Sequence, residues 1–322
     1  MTNMKRKTTL LCVLCLAAMA LAKPTYERTY GLAAGVSVTG SDITPDGGLI
    51  VCATDDTLGW LLRLDMAGNV LWSRSYDATQ GFFSNATRIT FMDVSATPDG
   101  GYMVVGHTPN PYFPETPDYL IGGVDSVGTP LWGGYGGAAS WGDYLHAIAA
   151  RSGTQLLVGG RTGGIGGGYG LVAAVDPATG QSGWGADFFL LDGDAAVNDI
   201  SVAADGSVLV AGSVFQAKYA SGLMLEWQIG RGAASADIHD DGTSVAINGN
   251  VLCRTLANGT LDWAVQCSLG DIADIGHRPD GHILITGTDQ GYIWAAELDA
   301  AANILWVHRI ADLGDALTAM DL

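Results

Sequence analysis

Beyond residue 22, short runs of aliphatic and β-branched residues alternate with turns rich in glycine, aspartate and proline, and no stretch spaces its apolar positions as a helix would. The runs come in sets. The first strand of each set ends in a tight turn, as in Thr44-Pro45-Asp46-Gly47-Gly48, Thr97-Pro98-Asp99-Gly100-Gly101, Ala204-Asp205-Gly206, Asp240-Asp241-Gly242 and Pro279-Asp280-Gly281, with Arg151-Ser152-Gly153 in the third set. Proline presets φ and glycine supplies positive φ, which hairpins need. The second strand is almost continuously apolar, for example Tyr102-Met103-Val104-Val105-Gly106, as suits a sheet covered on both faces. Third and fourth strands meet at another tight turn, such as Val124-Asp125-Ser126-Val127-Gly128 or Leu256-Ala257-Asn258-Gly259, and a tryptophan follows shortly after.

Those tryptophans are Trp72, Trp132, Trp184, Trp227, Trp263 and Trp306, recurring about every 36 to 60 residues. Four-stranded units at such a period predict an all-β fold, a β-propeller of four-stranded blades with six complete repeats. The ends add two fragments. Tyr26-Glu27-Arg28-Thr29-Tyr30-Gly31 is similar to the outer strand Ser73-Arg74-Ser75-Tyr76, and Asp315 to Leu322 is similar to an innermost strand. They predict either extra edge strands on six blades or an incomplete seventh blade, with Leu322 as a premature end.

The segment Ala174-Val175-Asp176-Pro177-Ala178-Thr179-Gly180-Gln181-Ser182-Gly183-Trp184 resembles the docking motif of quinoprotein-like (PQQ-like repeat) propellers, and the other units resemble its looser form in secreted bacterial repeat proteins of unknown function. In that family the tryptophan packs between neighbouring blades, so the resemblance implies a structural role for all six. Quinone-dependent dehydrogenases of the superfamily resemble longer, eight-bladed chains with a vicinal disulfide, and this chain has no adjacent cysteines. The resemblance therefore implies no quinone chemistry here.

Lys5, Arg6 and Lys7 precede an apolar run from Leu10 to Ala22, read as a signal peptide over residues 1–22 with the propeller domain over 23–322. That run of about 13 residues falls short of the roughly 20 that span a bilayer. The expected product is secreted or periplasmic, a monomer, with no membrane insertion. A formal charge of −18 excludes nucleic acid as a natural partner. Cys52, Cys253 and Cys267 lack metal-ligand spacing and read as strand residues, with a Cys253 to Cys267 bridge left open.

The loops between strands two and three, and from strand four to the next blade, vary most in length. They carry Phe82, Phe83, Tyr112, Phe113, Trp141 and Tyr144, the candidate ligand-binding aromatics on one face of the propeller. Innermost strands carry Asp42, Asp93, Asp199, Asp237 and Asp274, with His146 in the third unit and Asp321 near the C-terminus. These predict a polar ring at the channel mouth, which either caps backbone amides or holds a hard cation, calcium being the one cofactor the residues suggest. Asp192, Asp194 and Asp199 have a loose calcium-loop look without the full ligand spacing. His277 and His282, astride a hairpin turn, are expected at the surface. No catalytic residue or zinc site is expected, for there is no nucleophile elbow, phosphate loop or paired-histidine motif.

Three functions fit this pattern. The first is an exported non-enzymatic scaffold binding a protein, peptide or glycan on the long-loop face. The second is a hydrolase or lyase acting on extracellular polysaccharide through carboxylates near the axis. The third is a spacer domain of a truncated surface protein.

Overall fold

Six hairpin-linked sheets of four antiparallel strands, each in simple sequence order, succeed one another along the chain. Blade one is β1 (Ser37–Ile43), β2 (Leu49–Thr54), β3 (Gly59–Leu64) and β4 (Val70–Tyr76); blade two is β5 (Thr90–Ala96), β6 (Tyr102–Pro109), β7 (Pro117–Val124) and β8 (Pro130–Gly136). Blade three is β9 (Tyr144–Ser152), β10 (Gln155–Gly164), β11 (Gly167–Val175) and β12 (Phe188–Leu191); blade four is β13 (Val197–Val202), β14 (Val208–Gly212), β15 (Gln216–Tyr219) and β16 (Leu225–Ile229). Blade five is β17 (Ser235–Ile238), β18 (Ser244–Asn248), β19 (Val251–Thr255) and β20 (Leu261–Gln266), and blade six is β21 (Asp271–His277), β22 (Ile283–Asp289), β23 (Tyr292–Leu298) and β24 (Ile304–Ile310). The chain is thus a six-bladed β-propeller. This computed structural model describes residues 36–310 except 56, 78–82, 84, 85, 87, 111, 113, 114, 138–141, 153, 154, 165, 166, 182–187, 192–194, 290 and 291. The expected signal peptide, both terminal fragments, Trp184, Asp192, Asp194 and Asp321 lie outside those residues.

The first strand of each blade is innermost: β1 packs on β5, β5 on β9, β9 on β13, β13 on β17 and β17 on β21. The turn glycines do what their positions demand, Gly47 at φ 78° and Gly100 at φ 88° closing five-residue turns between strands one and two. At the matching point of the turn between strands three and four, Leu223 (φ 58°) and Ala302 (φ 64°) take the same left-handed conformation at a cost of about 1–2 kcal/mol each.

Burial is organised by junction. One cluster joins Ile50, Leu61 and Tyr76 of blade one to Phe91, Val104 and Leu120 of blade two. Others join blades two and three around Val105 and Leu156, three and four around Leu157 and Val210, four and five around Leu209 and Ala246, and five and six around Ile247 and Ile285. Among the described residues no such cluster joins blade six to blade one. Cys52 and Cys253 are buried and Cys267 is half-buried; all three are free thiols, and Cys253 pairs across its hairpin with Ala264.

Among the described residues, tryptophan closes the outer side of four junctions. The indole N–H of Trp72 donates to the Ser126 carbonyl in the next blade (3.0 Å), that of Trp132 to Pro177 (3.0 Å), that of Trp227 to Ala257 (3.0 Å) and that of Trp263 to Ala300 (3.1 Å). Each acceptor lies in the neighbour's turn between strands three and four, so the indole supplies both apolar area and one directed bond. Trp306 departs from this expectation. It is 42 % exposed and its indole N–H turns back to the Glu297 carboxylate of its own blade. The residue directly across the ladder from the tryptophan is Arg63, Lys218 or Arg254 in blades one, four and five, and Glu297 in blade six. That reversal of charge gives the last indole a local acceptor.

Candidate functional site

Inner strands of all six blades enclose an axial cavity of about 530 Å³. Asp42, Asp93, His146, Asp199, Asp237 and Asp274 all line it. They do not form one ring of equivalent positions, and this corrects the sequence reading. Ladder register places Gly40, Asp93, Ala147, Asp199, Ser235 and Asp274 at one level, opposite Cys52, Val105, Gly159, Ala211, Ile247 and Thr286. Two residues nearer the turn, a second level holds Asp42, Ser95, Ala149, Ser201, Asp237 and Gly276. Every blade but the third carries one aspartate, at one level or the other. His146 belongs to neither, because it occupies the bulge between Leu145 and Ala147.

The register explains the pairing. Ser95 donates its hydroxyl to Asp42 (3.0 Å) and Ser235 to Asp274 (2.7 Å), each bond linking adjacent blades at one level, and Ser201 donates likewise to Asp237. The carboxylates also accept backbone N–H groups of the following blade: Asp42 from Ala96 (2.7 Å), Asp93 from Ile148 (2.8 Å), Asp199 from Ala236 (2.9 Å) and Asp237 from His277 (2.6 Å). Asp93, Asp199, Asp237 and Asp274 accept in addition the N–H of the residue that follows each of them (2.7–2.9 Å). Gly40 is required beside this latch, since a Cβ there would lie 2.5 Å from the Asp93 carboxylate. The aspartates therefore stitch the inner side of the junctions as the indoles stitch the outer side.

Burial raises the pKa of Asp42, and burial followed by the nearby Asp237 charge raises that of Asp199. Burial pushes Asp237 the same way, but hydrogen bonds from His277 and Ser201 outweigh it and hold Asp237 below the ordinary range. His277, expected at the surface, is instead buried against Asp237, its Nδ1 3.2 Å from the carboxylate, with the His239 ring 5.2 Å away.

At the mouth on the loop side, symmetry breaks. Tyr144 stacks on His146 (5.7 Å, 14°) and meets His107 edge-on (5.2 Å). Burial, then the charges of His146 and Arg88, pulls His107 down to about 4, and burial lowers His146 as well. Both shifts favour the neutral ring, and among the described residues the buried Nδ1 of His107 has no hydrogen-bond partner. Nearby in sequence, Tyr112 is 85 % exposed. Phe83, expected on the same binding face, is 1 % exposed and packs edge-on against Phe91 in the core between blades one and two, where Ala86 and Ile89 are buried in the same cluster. Phe82, Phe113 and Trp141 lie outside the described residues.

Asp280, His282 and Glu297 form the one cluster of three His, Cys or acidic residues at metal-ligand separation among the described residues. Arg278 already occupies it, 3.3 Å from Glu297 and 3.6 Å from Asp280, and His282 lies 2.7 Å from Glu297. A guanidinium inside the cluster supplies the positive charge, so it reads as an ion-pair network that holds the Trp306 acceptor.

No protein-family model matches the chain, and no curated protein matches it. Solved structures do. A protein of unknown function from Bacteroides caccae superposes with TM-score 0.51 at 14 % identity, over 85 % of this chain and 93 % of that one. The WD40 β-propeller domain of Doa1 superposes with TM-score 0.55 at 11 % identity, over 84 % of this chain and 82 % of that one. At such identities the likeness is one of fold.

Proposed function

We propose that the chain is an exported, non-enzymatic scaffold of the quinoprotein-like repeat type, acting as a monomer that binds a protein, peptide or glycan at the loop-side mouth of the axial cavity. The observation that carries this reading is the use made of the axial carboxylates. Acid–base hydrolysis of a glycoside needs two carboxyl groups about 5–10 Å apart that are free to exchange protons with a substrate. Here Asp42, Asp93, Asp199 and Asp237 each accept backbone N–H groups from the neighbouring blade, which commits them as acceptors. The loop side offers recognition chemistry instead: an exposed Tyr112 between β6 and β7, and Tyr144 with the His146 ring stacked on it and the His107 ring edge-on to it. Neutral rings with one edge wet suit the faces of sugars and the side chains of extended peptides.

A glycan and peptide binding screen on residues 23–322, repeated with Tyr112→Ala and His146→Ala, tests the reading. Ligands whose binding falls at least tenfold in both variants support it. Turnover of a polysaccharide that is abolished by Asp199→Asn would replace it with the hydrolase or lyase.

A further inference from the structure

Two buried carboxylates outside the axial cavity meet on the loop side, where blade two packs on blade three. Asp118, near the start of β7, is 4 % exposed, and Asp143, just before β9, is 1 % exposed. The Asp143 N–H donates to the Pro117 carbonyl at 2.7 Å and so ties the two segments together. Thr162 Oγ1 (2.5 Å) and the Gly163 N–H (3.0 Å) both donate to Asp143 Oδ1. Oδ2 faces Asp118 across Gly137: a Cβ on that glycine would lie 2.4 Å from Asp143 Oδ2 and 2.8 Å from Asp118 Oδ1. The two oxygens thus converge on one small space which only a residue without a side chain leaves open.

Burying a charge is costly unless it is paired or bound to a metal. Asp118 has no lysine, arginine or histidine partner among the described residues, and the Asn110 side-chain amide donates to each of its oxygens at 3.1 Å. That amide uses two of about four lone-pair positions of the carboxylate. Beside it stands an independent sign of a missing ligand. Thr108 is directly opposite Asp118 in the β6–β7 ladder, so both side chains share one face of the sheet. Thr108 is 0 % exposed and its hydroxyl has no hydrogen-bond partner among the described residues. The Tyr119 phenol stands close by: a Cβ on Gly136, the residue before Gly137, would lie 2.9 Å from its hydroxyl oxygen.

We propose that Asp118 and Asp143, with the hydroxyl oxygen of Thr108, bind a calcium-like divalent cation between blades two and three, while Asn110 holds the Asp118 carboxylate through its side-chain N–H groups and gives its own oxygen to the Tyr112 N–H. Two carboxylates and a neutral oxygen in an irregular arrangement, completed by water, suit Ca²⁺, which takes six to eight oxygens at about 2.3–2.6 Å, better than the strict octahedron of Mg²⁺. The cation neutralises Asp118 and gives Thr108 a partner. It is separate from the axial aspartates and from the Arg278 network.

The test is Ca²⁺ titration of the chelator-treated full chain by calorimetry, with Tb³⁺ luminescence as a second readout. The expected result is one ion per chain, a rise in melting temperature that EDTA reverses, and Tb³⁺ emission sensitised by Tyr119. Asp118→Asn should weaken Ca²⁺ binding at least tenfold and Thr108→Val by a smaller factor, while Glu297→Gln leaves it unchanged. Tyr119→Phe should dim Tb³⁺ emission while preserving Ca²⁺ affinity, which keeps the test decisive if Asp118→Asn does not fold. No binding at millimolar Ca²⁺, equal affinity in Asp118→Asn, or undimmed emission in Tyr119→Phe would overturn the site.

Discussion

The junction of blades five and six and the outer face of blade six are built from similar residues and end differently. In β20 the strand Leu261-Asp262-Trp263-Ala264-Val265 lays Trp263 and Val265 on the cluster around Ile285 and anchors the indole on Ala300 of the next blade. In β24 the strand Ile304-Leu305-Trp306-Val307 has all four side chains exposed, and Trp306 bonds within its own blade. Among the described residues, one tryptophan position is thus a joint in the first case and is held within its own blade in the second. The lesson is that a repeat motif specifies a blade, whereas docking depends on what the neighbour presents.

The comparison breaks most visibly on truncation. Trp263→Ala should cost about 3 kcal/mol or more in urea unfolding, because it opens a cavity and leaves the Ala300 carbonyl without its indole donor, while Trp306→Ala should cost under about 1 kcal/mol. Equal losses would contradict the distinction between the two positions.

Next in size is the inner latch. Asp93→Ala removes a charged acceptor from the Ile148 and Val94 N–H groups and should cost about 2–3 kcal/mol by the same measurement. A loss under about 0.5 kcal/mol would mean that the inner strands hold together without the aspartates.

A smaller effect follows from His107. Its folded pKa, near 4, lies below the ordinary 6.5, so the unfolded chain binds more protons between those values. Its contribution to stability is whole above pH 6.5 and is lost progressively as the pH falls toward 4. His107→Gln should flatten the decline in melting temperature over that window. An unchanged slope would show that His107 does not drive it.

The smallest effect sharpens the end of the ring. Ala302 holds a left-handed conformation where Gly68, Gly128 and Gly259 stand in other blades, so Ala302→Gly should stabilise the chain by about 0.5–1 kcal/mol. Destabilisation would mean that the methyl packing against the blade five and six cluster outweighs the backbone strain.

Much of this architecture was legible in the chain because turn chemistry is local. Asp46-Gly47, Asp99-Gly100 and Asp280-Gly281 announce hairpins, and the tryptophan period counts the blades. The two levels of aspartate were already present in the spacing to the turn, which is four residues from Asp42 to Asp46 and from Asp237 to Asp241 but six from Asp93 to Asp99, Asp199 to Asp205 and Asp274 to Asp280. Reading the aspartates as one ring merged these two spacings, and the ladder register shows that they place the side chains at two levels of one face. Phe83 was misplaced because an aromatic in a long loop carries no mark of whether it folds inward. The Trp306 end did leave a trace, the acidic Glu297 where Arg63, Lys218 and Arg254 are basic, but its meaning depends on which residue faces the indole across the ladder. The Asp118 and Asp143 pair was missed because 25 residues of chain and a blade boundary separate its members.

The most direct test of the central claim, that among the described residues tryptophan and aspartate latches stitch four blade junctions while Trp306 of blade six bonds only within its own blade, is native-state hydrogen exchange compared between peptides covering Leu261–Gln266 and Ile304–Ile310. The account predicts that the blade-five strand is protected near the global limit and that the blade-six strand exchanges at least a hundredfold faster. Equal protection of the two would contradict it.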